Sequence, residues 1–412
     1  MIRSVKAARW ATFAYFGLNG FVMGTWIVHI PAVEHQARVS AAVLGWLLLL
    51  LGLGAFAGMR LIGPVTDRFG ARRVVPAGAA LCSATLVLPA LAGNALILGA
   101  ALLILGLGNG ALDVSMNTHA VQVEARYGRP IMSAFHAVYS VGGLLAALLS
   151  ARTISWGWSL LATMSAVSVL ALAVGAAVAT GLLPRPLTAA DSSQSCEVGA
   201  GGARAVPRRI WALAALALVF MLCEGVANDW SALEARDTLE VSAATAALAY
   251  GAFATAMTIG RFLADAVAAR VGPVAIVRYG SALAALALTA VALSPWIGLT
   301  IVGWGLFGAG LSGVIPQLFS AAGHADPAAA GANVSRVAGV GYLGMLAGPA
   351  GIGPLTYLMP LARTFLLPAG LCAIAVLTAA IARPDSTASA ATADEWPAAS
   401  AEDRALIADR NL

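Results

Sequence analysis

The residues best placed for chemistry lie where chemistry is least expected, inside long apolar stretches. Asp113 stands in one, with Gly106, Asn109, Gly110 and Asn117 spaced three or four residues from their neighbours. That spacing puts all five on one side of a helix. A carboxylate at the centre of a membrane helix costs about 2.5–3.5 kcal/mol on insertion scales, so it faces a cavity or a partner. Asp113 is therefore the first candidate for binding a proton beside a solute; the alternative is a packing role. Ser133, His136 and Tyr139 share a face on the next stretch, where His136 can bond a solute or exchange a proton with Asp113. Glu224 and Asn228, four apart, form a second set, with Glu224 a second coupling candidate. Asn19, Trp26, Gln317, Asn333 and Arg336 complete the polar and aromatic candidates for solute binding. Arg336, two turns inside its helix, needs an anion or a water path; Asp113, Asp265 and an acidic solute are open as its partners.

The elements that must position these residues are membrane helices. Of 412 residues, 60% are hydrophobic and 10% charged, against about 25% charged in soluble domains. Spans are predicted near 10–30, 41–62, 74–92, 95–122, 131–151, 157–180, 209–230, 242–264, 273–291, 296–320, 328–353 and 358–381. The chain thus reads as an all-α membrane protein of twelve transmembrane helices in a lipid bilayer. A polar stretch, 184–208, divides an N-terminal six-helix half (1–183) from a C-terminal one (209–382). A tail, 383–412, reads as a disordered cytoplasmic segment. With both termini inside, four of the 24 Lys and Arg (Arg38, Arg152, Arg236 and Arg363) fall on the outer side. The positive-inside rule therefore favours that orientation in a bacterial inner membrane.

The halves repeat at an offset of 202. Val39-Ser40-Ala41-Ala42 recurs as Val241-Ser242-Ala243-Ala244, and Gly58, Arg68, Gly70, Ser133 and Gly142 match Gly260, Arg270, Gly272, Ser335 and Gly344. Six helices separate the copies, so both have one orientation, as in a parallel repeat related by a pseudo-two-fold axis.

The sharpest motif is Gly63-Pro64-Val65-Thr66-Asp67-Arg68-Phe69-Gly70-Ala71-Arg72-Arg73. Gly63 permits close helix approach and Gly70 a tight turn, Asp67 can meet a helix N-terminus, and Arg68, Arg72 and Arg73 can tether headgroups. The run resembles the G-x-x-x-D-R-x-G-x-R-R signature of the major facilitator superfamily, which implies two six-helix halves, alternating access and a latch at this loop. In the second copy Ala269 replaces Asp67, so the latch is assigned to the first copy, with Arg261 and Asp265 as a substitute pair. The run Gly108-Asn109-Gly110-Ala111-Leu112-Asp113-Val114-Ser115-Met116-Asn117 resembles the G-x-G-x-x-E-T-x-x-N stretch of fucose-permease-type sugar–proton symporters. Gly128 to His136 is similar to an uncharacterised bacterial branch of the superfamily. Spans one, four, seven and ten line the cavity in that family, and Asn19, Asp113, Glu224 and Gln317 fall one on each.

Other functions find little support. No nucleophile–base set or metal motif suggests an enzyme, no Walker loop suggests ATP, and no basic patch suggests nucleic acid. Cys82, Cys196, Cys223 and Cys372 show no metal or disulfide spacing. The expectation is a cofactor-free, monomeric secondary transporter, most simply a proton symporter of a sugar-like polar metabolite. A proton-antiport exporter of amphipathic compounds and a non-transporting solute sensor are the alternatives.

Overall fold

The computed structural model describes residues 2–39, 41–184 and 206–383. Most of the 184–208 stretch, all but Arg383 of the 383–412 tail, Cys196 and Ser40 lie outside the described residues. The first half holds α1 (Ile2–Ala37), α2 (Ala41–Phe69), α3 (Ala71–Thr85), α4 (Ala95–Tyr127), α5 (Met132–Ser155) and α6 (Leu160–Val178). The second holds α7 (Arg208–Leu239), α8 (Ala243–Val271), α9 (Pro273–Leu293), α10 (Ile297–Leu311), α11 (Val314–His324), α12 (Ala330–Leu355), α13 (Leu361–Thr364) and α14 (Leu366–Thr378). Several helices outrun the predicted spans because hydropathy marks only the part in lipid, whereas helical hydrogen bonding continues beyond it.

The local chemistry of the sequence explains the boundaries. The Asn94 side chain caps α4 by accepting from the Ile97 N–H at 3.0 Å, and Ser159 and Ser242 cap α6 and α8 in the same way. The tenth predicted span is two helices, not one. Pro316 has no N–H to offer the Ser312 carbonyl and crowds it, so the helix breaks at Ser312–Gly313. Pro368 acts likewise four residues after α13 ends at Thr364, and Pro89 four residues after α3 ends at Thr85.

Eleven helical segments among the described residues are long and apolar enough to cross a bilayer, with α10 and α11 counted as one segment and α13 and α14 as another. The twelfth crossing element is α12, whose 26 residues span about 39 Å. Its Asn333, Ser335 and Arg336 lower its apolarity. It packs against α7 and α2, so much of its surface meets protein rather than lipid.

The repeat is visible in the backbone. Gly70 and Gly272 turn α2 into α3 and α8 into α9 with φ of 80° and 81°, and Arg38 and Glu240 precede α2 and α8 with φ of 54° and 52°. The packing repeats too. α1 pairs with α5 as α7 does with α12, and α2 pairs with α4 as α8 does with α10. These pairs approach through glycine: a Cβ on Gly106 would stand 2.0 Å from the Leu51 carbonyl oxygen, and one on Gly308 2.3 Å from that of Phe253. Trp46, Leu96, Leu286 and Leu377 are exposed, as lipid-facing residues are.

Candidate functional site

The interior site begins on α4. Its expected polar stripe divides by task. Gly106 and Gly110 are spent on backbone contact with α2, whereas Asn109 and Asp113 are half-buried toward the interior. Asn117, fully buried, donates from Nδ2 to the Asp113 backbone oxygen at 2.9 Å and to Asp113 Oδ1 at 3.3 Å. Asn117 Oδ1 therefore faces His136 Nε2 at 3.1 Å, where the imidazole is the donor. Phe16 meets the His136 ring edge-on at 5.1 Å and Phe319 lies 6.0 Å away, so rings from α1 and α11 hold the imidazole.

Asp113 lies within electrostatic reach of Tyr139 on α5 and Tyr342 on α12, one from each half. Among the described residues neither tyrosine hydroxyl has a hydrogen-bond partner and no cation pairs with Asp113. The opposite carboxylate is treated differently. Arg261 on α8 donates from Nη2 to Glu224 Oε1 at 3.5 Å and from Nη1 to Ser140 Oγ at 2.8 Å, tying α7 and α8 to α5. The expected Arg261–Asp265 pair does not form, because Arg261 turns inward and Asp265 reaches the end of α5.

The other candidates scatter. Asn19 is buried, with its Oδ1 accepting from Cys82 Sγ at 3.9 Å. Trp26 is buried in the apolar core of the first half. Gln317 is buried with Nε2 unpartnered, as is Asn109 Oδ1; such orphans mark places for a solute group or water. Asn228 is exposed. Asn333 Oδ1 accepts from Arg336 Nη1 at 3.1 Å, and Arg336 lies within reach of Asp67 rather than with Asp113.

The halves are clamped at the end carrying Asp67. Its two oxygens accept from the Gly331 and Ala332 N–H groups at 2.7 and 2.8 Å, at the N-terminus of α12. Gly63 makes this possible, since a Cβ there would stand 2.5 Å from Ser335 Cβ. Ser335 Oγ donates to the Met59 carbonyl at 2.5 Å. Arg68, Arg72 and Arg73 are on the surface around this turn, with Arg68 5.3 Å above the Phe69 ring.

Asp265 makes a second clamp from the other half, and the assignment of the latch to the first copy alone is corrected. Its oxygens accept from the Ser133 and Ala134 N–H groups at 3.0 and 2.6 Å, at the N-terminus of α5. Glu124 accepts from the next two, Ile131 and Met132, at 2.9 and 3.0 Å, and from the Ser320 hydroxyl of the opposite half. The substitution of Ala269 for Asp67 concealed this, because the second carboxylate sits one turn earlier, opposite Gly63 in the repeat. Glu124, Ser140 and Tyr342 were not singled out from sequence. The only signal was the repeat, in which Tyr342 is the counterpart of Ser140.

The chain matches the Major Facilitator Superfamily model over residues 11–349. An uncharacterized transporter, y4wD, of Sinorhizobium fredii (strain NBRC 101917 / NGR234) is 34% identical over 345 residues, covering 83% of this chain and 89% of its own. An uncharacterized MFS-type transporter of Yersinia pestis is 33% identical over 367 residues, covering 89% and 92%. In structure, the chain is similar to FucP in its outward conformation, with a TM-score of 0.77 at 16% identity over 93% of this chain and 100% of that one.

Proposed function

The chain belongs to the Major Facilitator Superfamily of membrane transporters, and from that premise we propose that it carries a small polar solute by proton-coupled symport. One observation carries the reading: Asp113 is a mid-bundle carboxylate that pairs with no cation among the described residues. Glu224, by contrast, is neutralised by Arg261 at 3.5 Å. A carboxylate so placed, with no cation to hold its charge, is suited to taking up and releasing a proton as the interior opens. Tyr139 and Tyr342 lie near it from both halves, their hydroxyls without a hydrogen-bond partner among the described residues, and Asn109 and Gln317 offer unpartnered polar atoms. This set suits a hydroxyl-rich solute better than an amphipathic one. FucP, described as a fucose:proton symporter, supports the same class by its fold.

In this mechanism Asp113 takes a proton while the interior faces the side opposite the Asp67 end. The loaded halves then rock about the site. The Asp67 and Asp265 clamps hold the Asp67 end shut in the state described. Asp113, Tyr139, Glu224 and Arg261 all keep partial exposure, in keeping with access from the opposite end. The cation asymmetry puts the Asp67 end and both termini in the cytoplasm of a bacterial cell, the chain acting as a monomer in the inner membrane. One charge crossing 100 mV releases about 2.3 kcal/mol, enough for roughly a fifty-fold gradient.

The test is uptake from a mixed metabolite pool into proteoliposomes, with and without an inside-alkaline gradient, scored by mass spectrometry. A solute accumulated only with the gradient establishes symport and identifies the cargo. Accumulation only under the reversed gradient would make the protein an exporter, and solute binding without flux would make it a sensor.

A further inference from the structure

We propose that a notch between α2 and α12, flanked by Arg60 and Arg336, binds a phosphate group, supplied either by an anionic phospholipid headgroup or by free inorganic phosphate. The notch is lined by Arg60, Pro64, Ala332, Ser335 and Arg336, is open on the side of the exposed Arg60, and has a volume of about 70 Å³. It is a small cleft with room for a tetrahedral oxyanion. It is separate from the interior site, and no residue around Asp113 lines it.

Two guanidinium groups converge there from opposite halves. A Cβ built on Gly339 would lie 3.7 Å from Arg60 Cδ, so the Arg60 stem lies against α12. Among the described residues Arg60 has no hydrogen-bond or ion-pair partner, and Arg336 bonds only the Asn333 amide oxygen. Asp67, a carboxylate within reach of Arg336 and with Asp326 near it, has both oxygens on the N-terminus of α12. That helix end carries partial positive charge of its own. Among the described residues neither Arg60 nor Arg336 forms an ion pair, so both guanidinium groups keep donors free for an anion at the notch.

The depth favours a phosphate source at the membrane surface. Arg60 precedes Asp67 by two helical turns, about 10 Å, and an arginine side chain can snorkel over much of that distance. Its fork matches phosphate oxygens two at a time. Because the walls come from both halves, an occupant bridges them and favours the state with the Asp67 end shut.

The test needs neither a known solute nor transport. The full chain, with R60Q, R336Q and the double variant, is reconstituted in phosphatidylcholine, in phosphatidylcholine mixed with phosphatidylglycerol, and in phosphatidylcholine with inorganic phosphate. Thermal unfolding is followed in each, and retained lipid is counted by native mass spectrometry on protein that remains monodisperse. Phosphatidylglycerol should raise the midpoint of the wild-type chain and remain bound through gentle delipidation. Either single variant should lose at least about fivefold in retention, the scale of one charge-assisted contact. R60K, which keeps charge but not the fork, should fall between. An arginine-dependent rise with inorganic phosphate alone would assign the site to a small anion. Equal retention and equal midpoints in the double variant, or no effect of either ligand on the wild-type chain, would overturn the site.

Discussion

At the scale of single residues the bundle contrasts two carboxylates. Asp113 has an amide and two tyrosines for company, whereas Glu224 has an arginine. Asp113→Asn is expected to abolish gradient-driven accumulation while leaving solute exchange measurable in proteoliposomes, because the amide keeps the hydrogen bonds but cannot release a proton. Unchanged accumulation would remove Asp113 from coupling. The Arg261–Glu224 pair makes a different prediction. Arg261→Gln strands Glu224, half-buried, and should lower stability by about 2 kcal/mol after allowance for partial exposure. Adding Glu224→Gln should recover much of that loss, as read from thermal unfolding in detergent. A double variant no more stable than the single one would mean that the pair is not what Arg261 supports. The reach of sequence reasoning is clear at this scale. Asp113, Asn117 and His136 were legible because helical spacing and intramembrane polarity are local signals. Arg336 and Asn333 were visible as polar but could not be located, since nothing in α12 says which of its faces meets α2. Cys223 and Cys372, 3.6 Å apart as buried thiols, are 149 positions apart in the chain and left no trace in their spacing.

At the scale of elements, helix boundaries followed from proline and glycine chemistry, and helix pairing followed from glycine contacts that the sequence shows only as frequent Gly. Twelve spans could be read from the sequence, although α12 falls short of the others in apolarity. The split of the tenth into α10 and α11 was equally present in Pro316 but was outweighed by an unbroken apolar run. The pairing contacts yield a controlled comparison. Gly106→Ala places a methyl 2.0 Å from the Leu51 carbonyl oxygen, which is backbone and cannot turn aside, whereas Gly251→Ala meets nothing within 4 Å. The first should force α2 and α4 apart and lower the unfolding midpoint sharply. The second should be neutral or stabilising by up to about 1 kcal/mol through helix propensity. Equal midpoints for the two variants would show that α2 and α4 need not touch.

At the scale of the whole molecule, the two halves close one end by a pair of related devices. On each side a carboxylate from one half accepts from two N–H groups at a helix N-terminus of the other: Asp67 on α12 and Asp265 on α5. These groups are orphan donors in any helix, and each bond to a charged acceptor contributes about 1.5–3 kcal/mol when it forms in a dry interface. Opening that end would break four such bonds together, so the clamps are expected to weight the balance between the two faces. Glu124, which belongs to the same half as α5, caps Ile131 and Met132 beside the Asp265 bonds. Asp67→Asn and Asp265→Asn should each shift the population toward opening of this end, and the double variant should shift it by about the sum of the two free energies. The sites share no hydrogen-bond partner, and well-separated perturbations add. Distances between spin labels across the end, measured for the four forms with native Arg60 and Arg336, give the populations directly. A single variant that opens the end as fully as the double would show one clamp acting alone. A shift in Asp67→Asn only would return the gate to the first copy of the motif. If both singles shift and the double shifts by about the sum of the two, closure is a property of the repeat, with one carboxylate supplied by each half.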